Sequence, residues 1–246
     1  MRILVLSLLC VASVSAQVTV LNSASSRPEQ PVAPGSWATA YGGFSGVSQT
    51  QSQVPHPKTL GGVTVTVGGV EAPLYFVSAT QVNFLIPAGL EPGLRPIEVK
   101  TPSATVSGNV RIMAAAPGLF VKETTQQRPP KGAVLNQDGR ENASDNPARL
   151  GEIVQIYGTG PGAMANAVED GAGAPRNPLN TTRSTPQVYI GGVAAEVQFS
   201  GLTPDLAGLW QVNAYIPNRP FLAGRVPVQV FVDGVDSNEV AIFVAQ

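Results

Sequence analysis

The chain has 246 residues, 43% hydrophobic and 13% charged, with a formal net charge of −1. That apolar fraction excludes a disordered chain, and the balanced charge argues against a nucleic-acid partner, which normally meets a basic excess. The 26 Gly and 22 Pro exclude a long-helix protein, because they destabilise helix interiors by ~1 and ~3 kcal/mol each. With one His and one Cys, metal and nucleophilic chemistry has few groups to work with.

Residues 1–16 read as a secretory signal peptide. Arg2 supplies the positive start, Ile3–Ala12 the apolar run and Val14-Ser15-Ala16 a small-residue cleavage site. The run is too short to span a bilayer, which takes ~20 apolar residues. Cys10 sits inside the run with Leu9 before it, which does not fit a lipid-anchor site. Loss of this segment leaves a chain without Cys, so stability has to come from burial. The protein is expected outside the cytoplasm: secreted, periplasmic or at the cell surface.

From residue 17 the chain reads as two copies of one unit. Val20-Leu21-Asn22 returns as Val134-Leu135-Asn136, and Val65-Thr66-Val67-Gly68-Gly69 as Val188-Tyr189-Ile190-Gly191-Gly192. Gln81-Val82-Asn83 with Ile86-Pro87 returns as Gln211-Val212-Asn213 with Ile216-Pro217. The order is kept while the offset drifts from 114 to 131, as loop insertions would produce. The reading is therefore a first domain over 17–121, a polar, Pro-terminated linker over 122–132, and a second domain over 133–246.

Within each copy the apolar period is two. Val82, Phe84 and Ile86 alternate with Gln81, Asn83 and Leu85, and Trp210, Val212 and Ala214 alternate with Gln211, Asn213 and Tyr215, as half-buried strands do. Gly68-Gly69 and Gly191-Gly192 lie between such runs and predict tight hairpins, since these turns need positive φ. In the first copy, strands are predicted near 18–21, 36–41, 63–67, 70–76, 81–86, 95–100 and 108–113. About seven short strands per copy point to an all-β chain of two tandem immunoglobulin-like β-sandwiches.

The steps Pro34-Gly35 and Leu150-Gly151, the pairs Tyr41-Gly42 and Tyr157-Gly158, and the two Gln-Val-Asn-x-x-Ile-Pro runs resemble the IPT/TIG class of immunoglobulin-like domains. Ala133–Gly139, Asn146-Pro147-Ala148, Tyr157–Gly160 and Gly208–Asn213 resemble the Solibacter-type uncharacterised C-terminal domain family of exported acidobacterial proteins. The resemblance covers nearly all of 17–246. It implies a secreted or surface β-sandwich module and no particular activity.

Candidate chemistry is sparse. Gly158-Thr159-Gly160-Pro161-Gly162-Ala163 approximates a dinucleotide fingerprint but lacks a βαβ setting, so it reads as a Gly-rich loop. His56, between Pro55 and Pro57, has no second His or any Cys to share a metal, and reads as an exposed loop histidine. Asn136, Asp138 and Asp145, with Glu141 and Asn142 between them, are hard-oxygen candidates for Ca²⁺; an Asx-type turn explains the same residues. The stretch from residue 133 carries 11 acids and 6 bases, for which a solvated surface accounts. Asn142-Ala143-Ser144 and Asn180-Thr181-Thr182 match the glycosylation sequon by chance.

Ligand binding is better placed on the two long loops, 42–60 and 158–186, because long loops on a rigid scaffold are where sites are built. These loops supply Phe44, His56, Glu169 and Asp170 as candidates. Tyr215 joins them from the outward face of its strand, whereas Trp37 and Trp210 are expected in the cores. No catalytic residue and no cofactor is assigned. The leading reading is a non-enzymatic binding or surface-structural module with an extracellular or cell-surface protein or glycan as partner, and with neither nucleic acid nor a membrane span. The alternatives are a carbohydrate-binding protein using the long loops and a hydrolase using a carboxylate pair.

Overall fold

The computed structural model describes residues 17–28, 30–122 and 127–245; the segment read as a signal peptide lies outside them. The described residues are all-β, with two hydrophobic cores built from successive stretches of chain.

The strands of the first domain are β1 (Thr19–Asn22), β2 (Trp37–Tyr41), β3 (Thr50–Gln51), β4 (Thr59–Leu60), β5 (Val63–Val67), β6 (Val70–Glu71), β7 (Leu74–Val77), β8 (Gln81–Leu85), β9 (Gly93–Lys100) and β10 (Thr105–Ile112). They form two sheets, ordered β1-β2-β8-β7-β3 and β10-β9-β5-β4, with β6 paired to β5. The expected strand over 70–76 is split by Ala72-Pro73. Proline has no N–H for the ladder, and Leu74 opens a new strand in the other sheet.

The strands of the second domain are β11 (Gly118–Leu119), β12 (Val134–Leu135), β13 (Ala148–Arg149), β14 (Ile153–Thr159), β15 (Gln187–Ile190), β16 (Val193–Ala195), β17 (Val197–Leu202), β18 (Trp210–Tyr215), β19 (Gly224–Val232), β20 (Val235–Asp236) and β21 (Val240–Ala245). One sheet runs β11-β14-β18-β17 with β12 on β14, the other β13-β21-β19-β15-β16 with β20 on β19. The order β2-β8-β7 in the first domain is matched by β14-β18-β17 in the second.

Period-two burial explains the packing. Val63, Val65 and Val67 of β5 face Val82, Phe84 and Ile86 across the first core, and Val228 and Val230 of β19 face Val212 and Trp210 across the second. Each such side chain contributes about 1.5–3 kcal/mol on burial. Trp210 is in the core as expected, with its indole N–H donated to Ser200 Oγ at 2.9 Å. The paired glycines are hairpin turns as expected, with φ of 58° and 82° at Gly68-Gly69 and 59° and 76° at Gly191-Gly192. These φ values are open to glycine at no steric cost.

The domain boundary differs from the sequence reading. Gly118 and Leu119 pair with Thr159 and Gly158 of β14, and Leu119 and Ala115 belong to the second core. Val121 bridges Gly132, and Lys122 N–H donates to Lys131 C=O, so both ends of the polar segment are tied to each other at the second sandwich. The chain passes between cores at 113–114. A short apolar run beside a Pro-rich segment does not reveal which core it enters. No helix among the described residues is long and apolar enough to cross a membrane.

Candidate functional site

The outward face of the first domain's β1-β2-β8-β7-β3 sheet is partly covered by loops of the second domain. Trp37 opens β2, and its backbone N–H donates to Thr159 Oγ1 at 2.8 Å while its indole N–H donates to Ala207 C=O at 2.9 Å. His56 N–H donates to Gly171 C=O at 2.9 Å, and Ala88 N–H to Asp170 Oδ1 at 2.9 Å. Asn22 adds a bond from Nδ2 to Ala116 C=O at 3.0 Å. The two long loops therefore meet, at His56 and Gly171, and fasten the domains together.

Beside this junction lies a cleft of about 420 Å³, a size typical of small-molecule sites. Its first-domain wall carries Trp37, Tyr75, His56, Gln51 and Asn83, and its second-domain wall carries Phe120, Leu206 and Leu209. Trp37, His56 and Tyr75 pack edge-to-face on one another, with centroids 5.3, 5.7 and 5.6 Å apart. Such contacts between rings are worth about 0.5–1.5 kcal/mol each and hold the rings in place. Gln51 Nε2 donates to Tyr75 Oη at 2.6 Å. Ser52 Oγ donates its one hydrogen to Leu74 C=O at 2.7 Å, so at 2.8 Å it accepts from His56 Nδ1–H, leaving Nε2 as the acceptor of the neutral ring. Burial lowers the His56 pKa from its ordinary 6.5, so the ring is neutral at neutral pH. No Lys, Arg, Asp or Glu lines the cleft, which makes it an aromatic and amide surface without formal charge.

The expected site residues are thus partly regrouped. His56 is buried at 8% exposure rather than exposed, because its ring packs against Trp37 and Tyr75 while its backbone is bonded to Gly171. Phe44 is fully buried in the first core, with its N–H donated to Ala79 C=O at 2.8 Å, and it is unavailable to a ligand. Trp37, expected in the core, points outward and is only half-buried, because another domain rather than its own sandwich covers it. Tyr215 does lie outward, half-buried, but apart from the cleft. Leu206 and Leu209 were not anticipated; they stand in the β17–β18 connection, whose counterpart between β7 and β8 is only residues 78–80. That length difference was the available signal.

Glu169 and Asp170 line a second cavity of about 410 Å³ with Arg183. Asp170 holds the Ala88 N–H, an interdomain contact. The oxygens proposed for calcium have other partners. Asn136 Oδ1 accepts from Asn142 Nδ2 at 2.8 Å, and Asp138 Oδ2 pairs with Arg140 Nε at 2.7 Å. Hydrogen bonds from the Arg140 backbone and side chain hold the Asp138 carboxyl below the usual range. Glu141 is lowered by the Lys131 ammonium at 2.8 Å. Asp145 is exposed, and among the described residues no three His, Cys, Asp or Glu side chains gather around a point.

These features define a protein of two tandem immunoglobulin-like β-sandwiches locked at an aromatic interdomain cleft. No protein-family model matches the sequence, and no curated protein is similar to it at a significant level. Among solved structures, the chain is similar to the Bacteroides ovatus mixed-linkage glucan utilization locus SGBP-B in complex with mixed-linkage heptasaccharide. The identity is 14%, over 88% of this chain and 44% of that one, with a TM-score of 0.35. It is similar also to SGBP-B from a complex xyloglucan utilization locus in Bacteroides uniformis, at 13% identity over 93% and 48% of the two chains and a TM-score of 0.30. Domains 5–6 of the S-layer protein SbsC are similar at 13% identity over 95% and 98%, with a TM-score of 0.29. The chain spans less than half the length of the two SGBP-B proteins.

Proposed function

We propose that this protein is a non-enzymatic, extracytoplasmic binding module whose interdomain cleft takes a neutral saccharide. The observation that carries the reading is the charge-free wall of Trp37, Tyr75 and His56 with Gln51 and Asn83 beside it. A sugar ring offers an apolar face for aromatic stacking and hydroxyls for amides, and needs no counter-charge. Export rests on the N-terminal pattern of residues 1–16.

The test is retention on neutral polysaccharides in affinity electrophoresis, followed by calorimetric titration with oligosaccharides of the retained class. Trp37→Ala and Tyr75→Ala should each weaken binding by roughly tenfold or more, with no products released from the substrate. If the wild-type protein retains none of a set of glucans, xylans and mannans, the saccharide reading fails. A hydrolytic role, for which Glu169 and Asp170 in the second cavity are the acids to test, would instead show as turnover lost in Glu169→Gln.

A further inference from the structure

The outward face of β14 and β18 in the second domain is an organised polar platform that the cleft does not use. Alternation puts Trp210, Val212 and Ala214 inside and leaves Gln211, Asn213 and Tyr215 outside, opposite Tyr157, Gln155 and Ile153. The side chains are tied to one another. Tyr157 Oη donates to Gln155 Oε1 at 3.1 Å, Gln211 Nε2 to Asn213 Oδ1 at 2.9 Å, and Asn213 Nδ2 to Gln198 Oε1 at 3.3 Å. A net of this kind removes rotamer freedom before a ligand arrives, so less is lost on binding. None of these side chains carries a charge at neutral pH, and burial raises the Tyr157 pKa and keeps its hydroxyl protonated.

The backbone of β14 links the platform to the cleft. Phe120 lines the cleft, and its N–H donates to Tyr157 C=O at 3.0 Å. Strand β14 ends at Thr159, which accepts the Trp37 N–H across the junction. From Tyr157 to Ile153 the face extends by about 14 Å at ~3.4 Å per residue. In the first domain the corresponding strand β8 repeats the Gln-x-Asn pair, with Gln81 Nε2 donating to Asn83 Oδ1 at 2.7 Å, and Asn83 lines the cleft. The same uncharged amide surface therefore lies on both sides of the aromatic trio.

We infer that the β14–β18 face is a second subsite, and that the occupant of both is one extended, neutral polysaccharide chain lying across the domain junction. A charged polymer would lack a counter-ion on this path. A short saccharide would leave the Tyr157–Gln211–Asn213 platform unused. The inference rests on the saccharide reading of the cleft, and its test separates the two.

The experiment is calorimetric titration of the full chain with cello-, xylo- and manno-oligosaccharides of two to seven residues. Wild-type affinity should rise with chain length. Tyr157→Ala and Gln211→Ala should each lower affinity for the longest oligomer by roughly tenfold, as loss of a hydrogen bond and its contact would, while leaving the shortest binder unchanged. Trp37→Ala should weaken every length. Gln211→Ala removes only outward atoms, so it keeps the test open should Tyr157→Ala fold poorly. Wild-type affinity for the longest oligomer in the Gln211→Ala protein overturns the second subsite while the cleft stands. Absence of binding at every length in the wild type overturns both.

Discussion

The interdomain lock can be tested at a single glycine. Gly171 has φ of +83°, and a Cβ placed there would meet His56 C=O at 2.7 Å and Pro73 Cβ at 2.9 Å, both in the first domain. Neither neighbour is a flexible side-chain end, so Gly171→Ala acts as a wedge between the domains. Gly192 is the control, because its φ is +76° and a Cβ there meets nothing within 4 Å. Both substitutions pay about 1–2 kcal/mol for an L residue in the left-handed region. Only Gly171→Ala adds overpacking, about 1–3 kcal/mol more. For a chain of this size each kcal/mol lowers Tm by roughly 2–4 °C. Differential scanning calorimetry should thus place the Gly171→Ala transition roughly 2–12 °C below that of Gly192→Ala, and the first should also lose cleft binding. Equal melting temperatures for the two variants would refute the described packing of the 171 segment on the first domain.

Other outcomes follow from the same contacts. Phe44→Ala should cost about 3–5 kcal/mol by urea denaturation, as for a large core deletion, because Phe44 is fully buried; a loss near zero would return it to the surface. Asn142→Ala should cost about 2–4 kcal/mol, since Asn142 Oδ1 accepts the Phe243 N–H at 2.7 Å and Nδ2 donates to Asn136 Oδ1 and to Phe243 C=O. The His56 pKa is lowered in the folded state, so its contribution to stability is complete above 6.5 and declines as pH falls from there through the folded-state value. Wild-type Tm should consequently drop more than that of His56→Gln between pH 7.5 and 5, and parallel profiles would show that His56 is not buried at the junction. Millimolar calcium should leave Tm unchanged, because the Asn136, Asp138 and Glu141 oxygens already have partners; a clear rise would restore the loop as an ion site.

Much of the fold was legible because it rests on local signals. The period-two runs over 63–67, 81–86 and 210–215 need only their own alternation to be read as half-buried strands, and the Gly-Gly pairs need only their conformational freedom. The site was less legible. Alternation places Trp37 on the face opposite Ala38 and Ala40, yet as the only Trp of the first copy, aligned with Ile153, it reads as core. Which face of β2 meets a partner is decided by another domain. His56 had one local reading, an exposed turn between two prolines, but its ring is packed by Trp37 and Tyr75, 19 positions away on either side, and its backbone is bound by Gly171, 115 positions away.

The sequence by itself determined the all-β class, the repeated order of strand motifs and turn positions, and the scarcity of charged or metal-binding groups, because each is a property of composition or of neighbours along the chain. The tertiary structure alone decided that Leu119 joins the second core, that the loops around His56 and Gly171 fasten the domains, and that Trp37, Tyr75 and His56 face one cleft with Phe120 and Leu209. The physical reason is range. Hydrogen bonds between the domains join residues from 82 to 209 positions apart, such as Ala88 with Asp170 and Arg27 with Asp236, and no pattern along the chain encodes which of two equivalent sheet faces will be covered.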